Sequence, residues 1–154
     1  MKGNEKKFLI VGVGNLYRGD DSVGILIARY FRRCFKNSVK IVDIDISFEE
    51  LIDIWGDFDL VILVDAVHSG KGAGEIYRFE DISELLKSGL KLISSHNVGI
   101  VEYIELAKLL GSLPKRFIVY GISGENFEIG GFISPNVKDA CRRLIPKIVA
   151  EVKA

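Results

Sequence analysis

The sequence has few of the residues from which covalent or metal cross-links are built. Only two cysteines, Cys34 and Cys141, occur among its 154 residues, and neither stands in a C-x-x-C pair or beside a histidine. We therefore expect two reduced, half-buried helix cysteines rather than a disulfide, a zinc site or a catalytic thiol. The chain also lacks a G-x-S-x-G turn and an H-E-x-x-H helix, which argues against those two kinds of catalytic centre.

An excess of charge of one sign and long apolar runs are missing as well. The chain has 21 Lys and Arg against 21 Asp and Glu, so its charge predicts neither a nucleic-acid partner nor an anionic membrane surface. Its apolar runs are far shorter than the roughly 20 residues of a membrane span. The apolar run near the start ends in a Gly-Asn turn without the small-residue cleavage site of a signal peptide. We predict a cytoplasmic protein with no membrane partner.

What the sequence does contain is an alternation of strand and helix patterns. Hydrophobic residues make up 48% and charged residues 27%, as in an ordinary globular protein, and the length predicts one domain over residues 1–154. Five strands are predicted, with "LKLISS" as a weaker extended segment: "KFLIVGV", "VKIVDID", "DLVILVDAV", "AGEIYRFE" and "RFIVYGIS". Four helices are predicted: residues 20–35, "SFEELIDIWG" with Ser47 as cap, "NVGIVEYIELAKLLG" and "SPNVKDACRRLIPKIVAEVKA".

These elements predict the fold class and one irregularity. Alternating strands and helices favour a three-layer α/β/α sandwich with a mostly parallel five-stranded sheet, in which "AGEIYRFE" is the one antiparallel strand. Pro146 falls inside the last helix and predicts a kink or a break there. In such sheets ligands bind at the carboxyl ends of the strands, where the strand order reverses.

Several ligand-type side chains follow apolar strands and are expected at that edge. Asp20 and Asp21 come after the first strand, Asp65 ends "VILVD", and His96 follows "LKLISS". One carboxylate from the Asp20–Asp21 pair, that of Asp65 and the imidazole of His96 would form an open, metal-contacting site rather than a closed structural one. Each residue also has a structural interpretation. Asp20 suits a helix N-cap and Asp21 a first-turn acid, while Asp65 and His96 suit local caps.

The loop "GVGNLYRGDDSVG" connects the first strand to the first helix. Gly12 and Gly14 allow the backbone to turn sharply, and Asn15 is suited to tie the turn by side-chain to backbone hydrogen bonds. We expect these two glycines, Asn15 and Asp20 to support the structure or contact substrate. His68, the other histidine, is expected to be an exposed loop residue.

Four stretches of the chain resemble one family, the hydrogenase maturation endopeptidases. They are "GVGNLYRGDDSVG", "VILVDAVHSG", "SSHNVGIVEYIEL" and "YGISGENFEIGGFISPNVKDA". The resemblance runs from about Phe8 to Leu144 in the family's order and spacing. It implies an enzyme that removes a C-terminal extension from the large subunit of a nickel–iron hydrogenase after nickel insertion.

The resemblance also implies the roles of three residues. Carried over position by position, the metal-contacting residues are Asp21, Asp65 and His96, and the nickel is carried by the precursor rather than permanently bound. The metal could polarise the scissile carbonyl or activate a water, or a carboxylate could act as general base. Two departures stand out: Asp21 replaces the Glu of several relatives, and "GISGENF" stands where many have G-I/V-E-P.

Two other functions are consistent with parts of the sequence. A dinucleotide-binding Rossmann domain would use Gly12-x-Gly14 and the acids Asp43 and Asp45, but Tyr17 occupies the third glycine position and the loop carries two negative charges. A non-catalytic chaperone for metal-centre assembly would bind the precursor without shortening it.

Overall fold

The computed structural model describes residues 5–35, 39–43, 48–93 and 100–153. The strands within these ranges are β1 (Phe8–Gly12), β2 (Val39–Val42), β3 (Leu60–His68), β4 (Ile76–Phe79), β5 (Lys91–Leu92) and β6 (Arg116–Ser123). The helices are α1 (Val23–Cys34), α2 (Phe48–Trp55), α3 (Ile82–Ser88), α4 (Ile100–Leu110) and α5 (Pro135–Lys153), and a 3₁₀ turn, Gly19–Ser22, precedes α1.

The strands of the described ranges form one mixed sheet. Its order is β2-β1-β3-β6-β4, with β5 paired to β3 beside this path. Strands β2, β1, β3 and β6 run parallel, whereas β4 and β5 are antiparallel to their neighbours. The long strand β3 is buried from Leu60 to Val67, as expected for a central strand covered on both faces.

Helices cover both faces of the sheet and produce three layers. On one face α1 and α5 pack against alternate sheet residues such as Ile10, Ile62 and Val64. On the other face α2, α3 and α4 pack against the intervening residues, such as Leu9 and Leu63. The predicted α/β/α sandwich is confirmed, and "AGEIYRFE" contains an antiparallel edge strand as expected. The sheet gains a sixth, two-residue strand from "LKLISS".

Two helices differ from their predictions. Helix α3 was not predicted, although Asp81 caps it by accepting a hydrogen bond from the Ser83 amide at 2.9 Å and Gly89 ends it with a φ of +73°. Helix α5 is continuous from Pro135 to Lys153 with Pro146 inside it, so of the kink or break predicted at Pro146 the break is wrong. The predicted cap Ser47 of α2 lies outside the described residues.

The strand order creates a crevice at the carboxyl edge of the sheet. The chain leaves β1 toward β2 on one side, whereas β3 lies on the other side of β1. The order therefore reverses between β1 and β3, which is where open α/β sheets bind ligands. Across the described ranges, no helix combines the length and the apolar character needed to cross a membrane.

Candidate active site at the carboxyl edge of β1 and β3

Helix α1 begins directly against the ends of β1 and β3 because two glycines allow it. A Cβ on Gly12 would lie 2.1 Å from the carbonyl oxygen of Gly24. A Cβ on Gly24 would lie 2.3 Å from the carbonyl oxygens of both Val13 and Val64. Contacts this short exclude any larger residue without a shift of the backbone. The start of α1 is thereby fixed at the crevice between the two strands.

The loop after β1 folds back on itself and places Asp21. A Cβ on Gly14 would lie 2.0 Å from the carbonyl oxygen of Asp21, and the Asn15 amide donates to that same oxygen at 3.1 Å. The Asn15 side chain accepts from the Tyr17 amide at 2.9 Å, as the sequence predicted. This backbone closure holds Asp21 on the 3₁₀ turn, which packs against β3.

Asp21 and Asp65 are both buried at this edge. Each is 1% exposed. The guanidinium Nη1 of Arg18 lies 3.6 Å from Oδ2 of Asp21, and Oδ1 of Asp65 accepts from the Ala66 amide at 2.8 Å. Asp65 lies within β3 rather than at its end, one position after Val64, the partner of the last β1 residue, Gly12. Two buried carboxylates therefore occupy the region where the strand order reverses.

Asp20 does not cap the helix, contrary to expectation. Neither the 3₁₀ turn nor α1 has a side-chain cap hydrogen bond. The Asp20 carboxylate, 0% exposed, instead accepts from the amides of Glu125 (2.9 Å), Asn126 (3.0 Å) and Ser134 (2.7 Å) and from the Ser134 hydroxyl (2.7 Å). Burial opposes its ionisation, but the hydrogen bonds from Asn126, Glu125 and Ser134 outweigh burial and lower the pKa of Asp20.

The third predicted ligand, His96, lies outside the described residues. It precedes α4, whose chain continues to Arg116, the β6 residue paired with Leu60 at the start of β3. Helix α4 therefore begins near the carboxyl edge of the sheet and runs toward the opposite edge. Within the part of the chain that the structure describes, no group of three His, Cys, Asp or Glu side chains could hold a metal ion.

Other candidate residues have separate environments. His68 is the exposed last residue of β3 rather than a loop residue. Asp43 pairs with Arg29 at 3.5 Å and Arg32 at 3.2 Å. In a dinucleotide-binding protein this carboxylate would bind the ribose, but here it binds two arginines of α1. Asp45 lies outside the described residues.

The cysteines are free, as predicted, although Cys34 is exposed rather than half-buried. Burial, followed by the negative charge of Asp20, raises the pKa of the Cys141 thiol to about 11. At neutral pH Cys141 is therefore a protonated thiol, which makes it a poor nucleophile.

The loop between β6 and α5 is one of the family-like stretches, but the sequence did not predict its hydrogen bonds to Asp20. Asn126 accepts from the Asp20 amide at 2.7 Å through its carbonyl oxygen, and its side chain bridges Phe132 and Glu128. Ser134 reaches Asp20 across 114 sequence positions. The local signal for Ser134 was its place before Pro135, which is typical of a helix cap, and that signal carries no information about a distant carboxylate.

An α/β/α sandwich with acidic side chains at its topological switch point defines a class of proteins that bind ligands at the carboxyl edge of a parallel sheet. Comparison with known sequences narrows this class. The family described as HycI, hydrogenase maturation protease, matches residues 25–151. The chain belongs to the hydrogenase maturation protease family, which places it among peptide hydrolases, and the resemblance drawn from its motifs is confirmed.

Individual relatives carry related names. The chain is 28% identical over 148 residues to the hydrogenase expression/formation protein HupD of Thiocapsa roseopersicina, covering 94% of this chain and 66% of HupD. It therefore spans slightly less than two thirds of that relative. It is 25% identical over 152 residues to the hydrogenase 2 maturation protease of Escherichia coli K12, covering 96% of this chain and 91% of that one.

Solved structures share the fold. The hydrogenase maturating endopeptidase HybD of E. coli superimposes with a TM-score of 0.79 at 22% identity, over 96% of this chain and 92% of HybD. The nickel–iron hydrogenase maturation protease HycI of Thermococcus kodakarensis superimposes with a TM-score of 0.73 at 22% identity, over 99% and 96% of the two chains.

Proposed function

We propose that this protein is an endopeptidase that removes the C-terminal extension from the nickel-loaded large-subunit precursor of a nickel–iron hydrogenase. Residues 1–154 form one domain of this type, which acts in the cytoplasm. The observation that carries the proposal is the burial of Asp21 and Asp65 at the switch point of a chain that belongs to the hydrogenase maturation protease family.

In this proposal the nickel is part of the substrate, and the protease recognises it. Two carboxylates buried at one edge attract a divalent cation more strongly than exposed ones would, because the low dielectric of the interior strengthens the interaction. Carboxylate oxygens with one imidazole nitrogen suit a borderline divalent cation, so Asp21, Asp65 and His96 would contact the metal together. The start of α4 beside the same edge supports the inclusion of His96.

The fixed position of the carboxylates matters for the chemistry. Asp21 is held by backbone closure of its loop and Asp65 by the central strand, so neither side chain has to be ordered when substrate arrives. A substrate seated by its metal would present the scissile peptide bond next to this edge. A water there could lose a proton to one of the carboxylates acting as general base.

The direct test replaces each of the three residues. We expect Asp21→Asn, Asp65→Asn and His96→Ala to lower the rate of cleavage of the nickel-loaded precursor by about 100-fold or more, the loss that misplacement of a substrate can cause. Mass spectrometry of the precursor over time measures the rate. The matched control is Asp57→Asn, the same chemical change at an exposed residue next to α2, and should keep full activity. Full activity of Asp21→Asn and His96→Ala would contradict the assignment.

A nickel-free precursor separates metal recognition from peptide hydrolysis. The wild-type protein should leave it uncut while cutting the nickel-loaded form. Equal cleavage of both forms would show that the protein hydrolyses the precursor without recognising its nickel. Stable binding of nickel-loaded precursor without any shortening would instead identify an assembly chaperone.

A further inference from the structure

Three large apolar side chains are exposed beside the candidate site. Tyr17 is 76%, Ile129 85% and Phe132 87% exposed. We propose that these three residues, called here the apolar docking surface, bind the polypeptide of the hydrogenase large-subunit precursor. This inference rests on the proposed function and adds the place where the protease grips its substrate outside the metal-contacting residues.

The three residues belong to two loops whose backbones are joined. The Gly130 amide donates to the carbonyl oxygen of Tyr17 at 2.8 Å. A Cβ on Gly19 would lie 3.2 Å from the carbonyl oxygen of Phe132. The turn that carries Ile129 and Phe132 therefore packs directly on the loop that carries Tyr17, so the three side chains share one region of the surface.

This surface is continuous with the candidate site. Tyr17 and Asp21 lie in the same loop, and Asp20 between them holds the other loop through its bonds to Glu125, Asn126 and Ser134. Arg18, which pairs with Asp21, also donates from Nε to the Phe127 carbonyl oxygen at 3.2 Å. Arg18 therefore links the Asp21 carboxylate to the loop that carries Ile129 and Phe132, and Asp20 fixes that loop against the turn next to Asp21.

The core is complete without these three side chains. Neighbouring Phe127 and Ile133 already pack against the α1/α5 core, while Ile129 and Phe132 remain outside it. Large exposed apolar groups that cluster mark interaction sites on monomeric proteins. The exposed acids Glu125 and Glu128 lie in the same loop as Ile129, and a polar rim around an aromatic centre is typical of a protein interface.

The position of the surface selects the precursor over a second copy of this chain as its occupant. A protein substrate that places its metal against Asp21 must also cover the loop around Tyr17. A dimer through the same surface would instead obstruct the edge that the substrate has to reach. A polypeptide substrate gives the apolar side chains a partner whenever the site is in use.

The experiment removes the apolar groups and leaves the carboxylates. The variants are Tyr17→Ser and the double variant Ile129→Ser/Phe132→Ser. We expect KM for nickel-loaded precursor to rise about tenfold or more, because aromatic anchors contribute most to interface affinity. We expect kcat to stay within about twofold, as for a loss of binding that is equal in the ground and transition states. The control is Leu109→Ser on α4, which is also 85% exposed, and its KM should not change.

Each outcome has a distinct meaning. If the wild type cleaves the precursor and the variants keep its KM, the docking surface is wrong and the proposed function stands. If the wild type does not cleave, the proposed function fails, and binding of nickel-free precursor to wild type and variants by biolayer interferometry decides the docking surface alone. A wild-type dimer in sedimentation velocity that the variants lose would assign the surface to a second copy and overturn the inference.

Discussion

Asp20 connects two loops that are far apart in the sequence. Its carboxylate accepts hydrogen bonds from both the amide and the hydroxyl of Ser134. Replacement by Asn keeps the size of the side chain but puts an NH₂ group where one oxygen stood. Since donors approach both Oδ1 and Oδ2, either orientation of the amide leaves a donor facing a donor. A buried donor without an acceptor costs about 1–3 kcal/mol.

We therefore predict that Asp20→Asn lowers the free energy of unfolding by about 2 to 3 kcal/mol, measured by urea denaturation at pH 7. Asp139→Asn serves as control because its exposed carboxylate pairs only with Arg143 in the i,i+4 spacing among the contacts described, and exposed pairs contribute about 0.5 kcal/mol. Equal stability of the two variants would show that the Asp20 contacts are not important for folding.

At the residue level, local roles could be predicted and distant ones could not. The Asn15 turn uses a bond between residues two positions apart, and an Asn beside glycines is a local signal for it. The Asp20–Ser134 contact joins residues 114 positions apart, so nothing in the sequence around Asp20 distinguishes this role from a helix cap. The sequence identified Asp21 and Asp65 as candidates because each follows an apolar strand. It could not show that they lie at the same edge of the sheet, because that depends on the strand order.

Among the elements, α5 shows a helix tolerating a residue that normally breaks it. Pro146 lacks an amide hydrogen, and its ring conflicts with the carbonyl oxygen one turn earlier. The helix nevertheless continues to Lys153, with Leu144 and Ile148 on either side of Pro146 fully buried in the core. Burial of the apolar stripe therefore outweighs the cost of the proline, and this is why the predicted break does not occur.

Because Pro146 itself is exposed, replacing it should remove a cost without losing packing. We predict that Pro146→Ala raises the free energy of unfolding by about 1 to 3 kcal/mol. The gain is smaller than the full helix penalty of proline, because alanine gives the unfolded chain more conformational freedom. Urea denaturation measures the change, and Lys147→Ala at the next exposed position should stay within about 0.5 kcal/mol of wild type. A loss of stability in Pro146→Ala would mean that the proline has a favourable role in the native helix.

Elements with a strong period were predicted, and short ones were not. Strand β3 is buried over eight positions, all of them apolar except Asp65, and α1 repeats its apolar residues at helical spacing, so tertiary packing agrees with the local pattern. The two-residue β5 and the seven-residue α3 are too short for a period to emerge. Helix α3 could have been found from its ends, because Asp81 and Gly89 are typical start and stop residues.

For the whole molecule, the alternation of strands and helices was enough to predict the layers, and handed crossovers limited the strand order. The sequence pattern could not predict the side-chain network that joins α5 to the edge strands β4 and β6. Glu151 of α5 accepts from Arg78 of β4 at 2.7 Å and from the hydroxyl of Tyr120 of β6 at 2.8 Å. Arg116 and Arg78 also pair with Glu80. One carboxylate thus joins the last helix to the two strands at the sheet's edge.

This network makes the stability of the whole fold depend on pH. Burial raises the pKa of Glu151, but the hydrogen bonds from Arg78 and Tyr120 exceed that effect and leave the pKa below its ordinary value. A carboxylate with a lowered pKa in the folded state contributes its full stability above the unfolded value near 4.3, and the contribution is lost as pH falls through the folded pKa.

We therefore predict that Glu151→Gln, which keeps the size and removes the charge, lowers the free energy of unfolding by about 2 kcal/mol at pH 7. The Glu151 side chain is only 15% exposed, so solvent screens the pair weakly. The difference from wild type should shrink as pH falls below the unfolded value and through the lower folded pKa of Glu151. Urea denaturation across this range measures it, with the exposed Glu105→Gln as control. A difference that is the same at pH 7 and pH 3 would show that Glu151 acts through its shape alone, and that its charge does not join α5 to the sheet.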